Sequence, residues 1–309
     1  MTASPSPSAP NFAPGMLEFL DALIAKATLA DRQPPFSDQS LVDLKSGVRQ
    51  LVVLTAREKP AAAAIVLFGQ DSFEAEFVVD PIERHHGLGN RMMIEMLREA
   101  HGTVHIWAHG DHPDARALAK RYDFEPVREL LQMRAEVPTE DVSIHSLREH
   151  STHESRTDSP TRVDAFRPGV DDAEWLAVNA RAFATHPEQG KLTQADLDAR
   201  IAEKWFDEND FLVLRDDDDD MMGFCWLKVE KEQPEERIGE FYAVGVHPKY
   251  QGLGLGRALV HAGLNRLAAS GIRTASLYVE ADNVAAVHLY RSFGFATHSI
   301  DIQYELKRR

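Results

Sequence analysis

One glycine-rich segment occurs twice in this chain, and this internal repeat constrains the fold more than any other feature of the sequence. Residues 79–90 align with residues 246–257 without a gap, and an apolar pattern with helical spacing follows each copy. Each half then has a short apolar run, at 104–107 and 275–278, and closes with an alternating strand, at 129–136 and 299–306. Self-similarity of this kind predicts that the chain folds as two tandem copies of one domain.

Composition marks the limits of the two copies. The chain has 309 residues, which is enough for two ordinary domains. Residues 1–14 are rich in Pro, Ser and Ala and are expected to be a disordered tail, and residues 138–160 have the polar composition of a linker. We therefore expect an N-terminal domain at 15–137 and a C-terminal domain at 161–309.

Charge and cysteine content narrow the classes of function. A formal charge of −15 argues against a nucleic-acid partner, because phosphate contacts need a basic face. The aspartates at 216–220 lie between two strand-like runs and are predicted to form a solvated hairpin loop, since adjacent carboxylates cannot all turn toward one metal ion. Cys225 is the single cysteine and falls in an apolar strand, so we expect a core residue and no internal disulfide. The chain shows no membrane-spanning or signal pattern, and we expect a cytoplasmic, monomeric protein that does not bind membranes.

The second copy of the repeated loop has the properties of an anion site. Gly252, Gly254 and Gly256 carry no Cβ atoms, so backbone N–H groups can converge on an anion at the start of a helix. A flexible strand-to-helix turn would also explain the glycines, but it would not explain Gln251 and Arg257 beside them. A dinucleotide fold would need an acidic residue about 20 positions onward, where this chain has none.

Two motifs together resemble the acyl-CoA site of the Gcn5-related N-acetyltransferases, the GNAT family. The first is the loop Gln251-Gly-Leu-Gly-Leu-Gly256, and the second is Asn283-Val-Ala-Ala-Val-His-Leu-Tyr290-Arg-Ser-Phe-Gly294-Phe295. The resemblance implies an α+β fold with a mixed sheet, in two tandem acyltransferase domains. It also implies acetyl-CoA as the co-substrate and no metal.

The resemblance assigns three groups of CoA-binding positions. In the second half these are Val244, Gly245, Val246, Gln251, Gly252, Leu253, Gly254, Leu255, Gly256 and Arg257, followed by Asn283, Val284, Ala285, Ala286, Val287 and His288. In the first half, candidates for a second CoA are Phe77, Val78, Val79, His85, His86, Gly87, Leu88, Gly89 and Asn90.

The two halves differ at the positions that would carry the chemistry. In the family, an acidic residue on the fourth strand often serves as general base and a tyrosine before Gly-Phe as general acid, which implies Glu240 and Tyr290 here. The repeat aligns these residues with Phe73 and Ala119. We therefore expect the first half to be catalytically inactive and the reaction to take place in the second.

Further segments in both halves resemble one tandem member of the family, which acetylates the cysteinyl amine of cysteinyl-glucosaminyl-inositol. The most discriminating is His186-Pro-Glu-Gln-Gly190. This resemblance implies that Asp38, Glu188, Lys228, Glu240 and Tyr278 bind the acceptor. Two alternatives stay open: an acetyltransferase for a protein N-terminus or another small amine, and a CoA-binding protein without activity.

Overall fold

A computed structural model describes residues 15–138, 162–184, 189–229 and 237–307. By internal contacts, the chain forms unit 1 (Met1–Leu131, Glu280–Asp282 and Ser299–Arg309) and unit 2 (Gln132–Val279 and Asn283–His298). The predicted tail at 1–14 and nearly all of the predicted linker at 138–160 lie outside the described residues. The predicted domain limits of 15–137 and 161–309 stay a prediction. In the described ranges, no helix is both long and apolar enough to cross a membrane.

Unit 1 begins with two helices and three consecutive strands, after which helices and strands alternate. Its elements are α1 (Met16–Asp31), α2 (Asp38–Ser46), β1 (Gln50–Ala56), β2 (Lys59–Phe68), β3 (Ser72–Val79), α3 (Leu88–Glu99), β4 (Thr103–Ala108), α4 (Pro113–Arg121) and the first part of β5 (Glu125–Glu136). Strands β1 to β3 pair antiparallel, whereas β3 pairs parallel with β4. Helices α1 and α2 cover one face of this mixed sheet and α3 covers the other. Strand β2 is buried on both faces, which accounts for its unbroken apolar run.

Unit 2 repeats this arrangement. Its elements are β6 (Arg162–Ala165), α5 (Asp172–Ala182), α6 (Gln194–Ile201), β7 (Phe211–Arg215), β8 (Met221–Val229), β9 (Ile238–Val246), α7 (Leu255–Ala269), β10 (Thr274–Glu280) and α8 (Val284–Arg291). Strands β6 to β9 pair antiparallel in sequence order, and β10 pairs parallel with β9. Thr193 and Asp196 form a capping box at the start of α6. The predicted α+β class with a mixed sheet is confirmed.

The acidic hairpin and the cysteine lie where their local patterns indicate. Residues 216–220 connect β7 to β8, and the Asp216 carboxylate accepts backbone N–H bonds from Asp218 and Asp220. In the described ranges, no group of three or more His, Cys, Asp or Glu residues is arranged to hold a metal ion. Cys225 is buried and unpaired by disulfide, and burial raises the pKa of its thiol.

The last strand of each half of the sequence does not stay with that half. Strand β11 (Ala296–Lys307) pairs antiparallel with β4, and its residues from Ser299 onward belong to unit 1. Strand β5 lies beside β10, and its residues from Gln132 onward belong to unit 2. Each unit is therefore completed by a strand from the other half of the sequence.

Candidate active site

Strand β9 departs from regular pairing at Tyr242. Trp226 of β8 pairs with Ala243, whereas its neighbour Leu227 pairs with Phe241, so Tyr242 is the extra residue of a β-bulge. On the other side, the pairing of β9 with β10 ends at Phe241 and Leu277, although both strands continue. Among the described residues, none of β10 pairs with residues 242–246. The two strands therefore part beside Val244, Gly245 and Val246, where an extended amide chain can hydrogen-bond to the backbone.

The loop after β9 presents backbone N–H groups at the start of α7. Gly252 and Gly254 have φ angles of 81° and 80°, in the left-handed region that favours glycine. No side chain caps α7, and its first hydrogen bond runs from the Arg257 N–H to the Gly254 carbonyl at 3.0 Å. A Cβ on Gly256 would lie 3.2 Å from Leu289 Cδ2, so α7 and α8 pack closely here. Backbone N–H groups at an uncapped helix start, together with the helix dipole, suit an anion, and the anion site expected from the glycine pattern stays a prediction.

Arg257 brings a fixed positive charge to this site. Its Nη2 donates to Ser292 Oγ at 3.0 Å, and its guanidinium lies 5.0 Å from the Phe293 ring centroid. Within the described ranges no carboxylate pairs with Arg257. Gln251 Nε2 donates to the Val246 carbonyl at 3.3 Å and so ties the loop to the end of β9. A half-buried guanidinium without a counter-ion suits a phosphate ligand.

The second predicted CoA segment forms the start of α8. The Asn283 side chain accepts a hydrogen bond from the Ala286 N–H at 3.2 Å and caps the helix. Val284 is 73% exposed, whereas Val287 is buried. The remaining predicted positions, Ala285 and His288, lie in the same first turns of α8.

Tyr290 lies on α8 and is almost completely buried. Its ring contacts the Phe295 ring at 5.8 Å between centroids, and Phe295 contacts Phe241 of β9 at the same separation. Burial, with a smaller contribution from the nearby Cys225, raises the pKa of Tyr290. The phenol therefore keeps its proton at neutral pH and can act only as a proton donor there.

The other predicted polar side chains of unit 2 share one face of the sheet. Glu240 of β9 stands opposite Lys228 of β8 and Ser276 of β10, so the three side chains are cross-strand neighbours. The Lys228 ammonium lies 5.7 Å from the Trp205 ring centroid. Tyr278, two residues beyond Ser276, is 41% exposed on the same face. This face combines a carboxylate, an ammonium and a phenol, which suit an acceptor with an amine and hydroxyl groups.

Of the two remaining predicted acceptor-binding residues, one belongs to unit 1 and the other is not among the described residues. Asp38 is the first residue of α2 in unit 1, where Ser37 caps the helix. Glu188 lies outside the described residues. Sequence reasoning missed Gln132, whose Nε2 donates to the Tyr278 hydroxyl at 2.8 Å, and Ser276. Only strand pairing brings these residues to the site, and no local motif marks them.

The equivalent region of unit 1 is a cavity of about 410 Å³. Seven of the nine predicted first-half positions line it, whereas His86 and Leu88 do not. His85 and Gly87 repeat the left-handed geometry of Gly252 and Gly254, with φ angles of 61° and 85°. The loop arginine, Arg84, is neutralised by a two-point ion pair with Asp31 at 2.7 Å. The loop of unit 1 therefore has the same left-handed backbone geometry as the loop of unit 2, but it presents less positive charge to an anion.

Strands β3 and β4 also differ from their counterparts in unit 2. The pairing of β2 with β3 is continuous and has no bulge. The pairing of β3 with β4 extends to Glu76, which the repeat aligns with Ala243, beyond the bulge of β9. Phe73 and Ala119, the counterparts of Glu240 and Tyr290, are buried in the core. Among its described residues, unit 1 therefore has neither the bulge nor side chains equivalent to those of Glu240 and Tyr290.

This chain is similar to a family model, to whole-length relatives and to solved structures. The model of the acetyltransferase (GNAT) family matches residues 175–295. A mycothiol acetyltransferase from Sanguibacter keddieii is 44% identical, over 91% of this chain and 90% of the relative. One from Clavibacter michiganensis is 42% identical over 96% and 92%.

Solved structures agree in fold. A GCN5-related N-acetyltransferase from Sphaerobacter thermophilus superimposes with a TM-score of 0.69 at 20% identity, over 97% of this chain and 94% of the other. A tandem GNAT protein from the clavulanic acid biosynthesis pathway superimposes with a TM-score of 0.62 at 13% identity, over 93% and 95%.

Proposed function

We propose that this chain, which belongs to the mycothiol acetyltransferases of the GNAT family, acetylates the cysteinyl amine of cysteinyl-glucosaminyl-inositol with acetyl-CoA and yields mycothiol and CoA. We assign the reaction to unit 2. The main support for this assignment is the bulge at Tyr242, beside which β9 and β10 separate. Unit 1 has the equivalent strands without the bulge.

Acetyl-CoA would bind along the parted edge of β9 and across the start of α7. The backbone of Val244, Gly245 and Val246 would hold the pantetheine amides, and the loop N–H groups with Arg257 would hold the diphosphate. This arrangement directs the thioester toward the bulge. Backbone N–H groups there can stabilise the negative charge that develops on the thioester oxygen.

Glu240 would act on the acceptor amine. An α-amine with a pKa of about 8 is roughly one-tenth neutral at pH 7, so the carboxylate needs only to orient the ammonium and remove a proton. The amine lone pair then attacks the thioester carbonyl carbon, and the carbon–sulfur bond breaks as the amide forms. Lys228 and Tyr278 lie beside Glu240 and would hydrogen-bond to the rest of the acceptor.

Tyr290 would protonate the departing CoA thiolate. Its raised pKa keeps the phenol protonated until the thiolate forms. Protonation of the leaving group makes carbon–sulfur cleavage easier. Base and acid are thus carried by different elements, β9 and α8.

A second CoA in unit 1 is a further part of the proposal. The cavity size and the left-handed loop support it, whereas the Arg84–Asp31 pair weakens the attraction for a diphosphate. We also infer that the protein acts as a cytoplasmic monomer. Light scattering after gel filtration would test the oligomeric state, and equilibrium dialysis with radiolabelled acetyl-CoA would count the bound molecules.

The decisive experiment measures CoA release and acetylated product with the wild type, Glu240→Gln and Tyr290→Phe. We expect both substitutions to lower kcat at least about ten-fold, because each removes a proton-transfer group. Unchanged turnover in both variants would contradict the assignment of the site. Turnover of a peptide N-terminus but not of cysteinyl-glucosaminyl-inositol would favour the alternative acceptor.

A matched pair of glycine substitutions tests which unit holds the reacting acetyl-CoA. Gly254 and Gly87 occupy the same capping position with φ angles of 80° and 85°, so alanine strains both backbones equally. Gly254→Ala should raise the KM for acetyl-CoA, whereas Gly87→Ala should leave it unchanged. The reverse result would place the reaction in unit 1.

A further inference from the structure

The face of unit 2 that carries Glu240, Lys228 and Tyr278 is called the acceptor face. Arg134 lies on this face, although it belongs to the first half of the sequence. Its strand, β5, neighbours β10, and two hydrogen bonds define the register: the Val137 N–H donates to the Arg273 carbonyl at 2.9 Å and Gln132 donates to Tyr278. This register places Arg134 opposite Ser276. Because side chains two residues apart on a strand share a face, Arg134 points to the same side as Gln132 and Tyr278.

Four residues therefore form one row across neighbouring strands of unit 2. In spatial order they are Arg134 of β5, Ser276 of β10, Glu240 of β9 and Lys228 of β8. Neighbouring strands are about 4.8 Å apart, so the backbone of Arg134 lies roughly 10 Å from that of Glu240. A ligand whose amine is at Glu240 would have its more distant groups within reach of the Arg134 side chain.

The Arg134 guanidinium has unused hydrogen-bonding capacity. Its Nε is shielded from solvent without a hydrogen-bond partner, and within the described ranges the side chain forms no ion pair. A buried donor without a partner is unfavourable, because it has lost its hydrogen bond to water and gained none from the protein. The positive charge of Arg134 also affects a neighbouring side chain: burial and the nearby Arg134 lower the pKa of His298. Among the described residues, the half-buried Arg134 thus has a charge and a donor that are available to a ligand.

We propose that Arg134 binds hydroxyl groups of the acceptor's glucosaminyl-inositol part and so contributes to selection of the acceptor. This inference rests on the proposed function. A guanidinium presents several donors in one plane and can bind two neighbouring hydroxyl oxygens at once. Its positive charge also disfavours an ammonium nearby, so the acceptor amine is directed to Glu240 rather than to β5. The first half of the sequence thereby supplies part of the acceptor site.

The test compares Arg134→Met with the wild type on two acceptors, cysteinyl-glucosaminyl-inositol and N-methyl cysteinamide, which keeps the amine and thiol but has no sugar. We expect kcat/KM for the full acceptor to fall about ten-fold or more, mainly through KM. The KM for acetyl-CoA should not change. The kcat/KM for N-methyl cysteinamide should also not change. Arg134→Lys, which keeps the charge and some donors, should recover part of the loss.

Two controls keep this test decisive. Arg273→Gln removes an exposed positive charge just before β10 and should leave both acceptors unaffected. Inhibition by free glucosaminyl-inositol gives a second measurement, and its inhibition constant should rise about ten-fold in Arg134→Met. Equal losses on both acceptors, or no loss on either together with an unchanged inhibition constant, would overturn the proposal. Absence of wild-type turnover on the full acceptor would instead refute the proposed function.

Discussion

Replacing His109 by glutamine should destabilise unit 1 strongly at pH 6 and only weakly at pH 9. The imidazole is buried between two carboxylates: its Nδ1 donates to Asp301 at 2.9 Å, and its Nε2 lies 3.4 Å from Glu76. Asp301 also accepts the Gly110 N–H, and Glu76 accepts three hydrogen bonds from Ser37 and Ser40. The substitution would remove the cation that lies between these two buried carboxylates.

The size of the loss in free energy of unfolding follows from the raised pKa of His109. Although burial alone would lower it, hydrogen bonds and the charges of Asp301 and Glu76 raise the pKa of His109 to about 10, from an ordinary 6.5. The protonated imidazole therefore stabilises the folded state fully below pH 6.5, and this stabilisation is lost as the pH rises through 10. The linkage relation gives about 5 kcal/mol at pH 6 and between about 1 and 2 kcal/mol at pH 9, to order of magnitude. Removing one partner from a buried ion pair costs a similar amount.

The assay is urea unfolding followed by circular dichroism at both pH values, and His105→Gln is the matched control. His105 lies on β4, the strand that leads into His109, and its Nε2 is 3.1 Å from Glu305 of β11. Because both of these side chains are a fifth or more exposed, the control should cost less than about 1 kcal/mol. An equal cost of His109→Gln at pH 6 and pH 9, or a cost of His105→Gln as large as that of His109→Gln, would refute the stabilising role of the protonated His109.

Three further results are expected. Arg215→Met should lower the free energy of unfolding by about 3 kcal/mol, because Arg215 is buried against Asp171 at 2.8 Å and this buried carboxylate would keep only the half-exposed Arg167 as its cation; a melting temperature within roughly 2 °C of wild type would contradict this. Iodoacetamide should label Cys225 only after unfolding, because burial of the thiol raises its pKa, and mass spectrometry reads the adduct. Gly263→Ala should cost about 1–3 kcal/mol in urea unfolding, because the added Cβ would lie 2.5 Å from Phe241 Cε1.

Local signals in the sequence predicted the parts of the site that short segments build. The glycine loops have the left-handed geometry that their composition indicates, and the hairpin around the aspartates forms between β7 and β8. The roles of Glu240 and Tyr290 were inferred by resemblance and remain predictions. The bulge at Tyr242 was not predicted, because an extra residue in β9 is defined only by its pairing with β8. For the same reason, Gln132, Ser276 and Arg134 were not assigned to the acceptor face.

The exchange of the last strands was also not predicted, because the repeat makes β5 and β11 nearly equivalent. Both close a half of the chain, both alternate apolar and polar residues, and either could pair with β4 or β10 by hydrophobic pattern alone. The observed pairing must therefore be chosen by residues at which the two strands differ. Charged side chains are the clearest difference between them.

In the observed arrangement, charged side chains of both last strands meet opposite charges within unit 1. On β11, Glu305 pairs with His105 and Asp301 pairs with His109. On β5, Arg128 pairs with a carboxylate at the end of β10, that of Glu280. Each of these contacts is therefore favourable when the histidines are protonated.

The alternative arrangement, in which each half keeps its own last strand in the same register, would lose all of these contacts. The repeat aligns Phe124 with Phe295. With this alignment, each residue of β5 can be put in the position of its equivalent on β11, and the reverse, to find which residue it would then face. Asp301 would then lie against Glu280, so two carboxylates would face each other, and Arg134 would lie against His105 in place of the carboxylate of Glu305. One contact would be gained, because Arg128 would face Asp111. His109 would lie against the apolar side chain of Leu130 and would lose the carboxylate that β11 supplies.

Opposite charges across neighbouring strands contribute roughly 0.2–1 kcal/mol each, and like charges cost similar amounts. The loss of the Glu305–His105 and Arg128–Glu280 pairs and the new carboxylate pair, less the gained Arg128–Asp111 contact, favour the observed arrangement by about 1 kcal/mol, and the buried His109–Asp301 pair adds a larger contribution. That difference is a substantial part of the net stability of an ordinary domain. The charge pattern thus selects the exchanged strands, and the exchange in turn brings Gln132 and Arg134 to the acceptor face of unit 2.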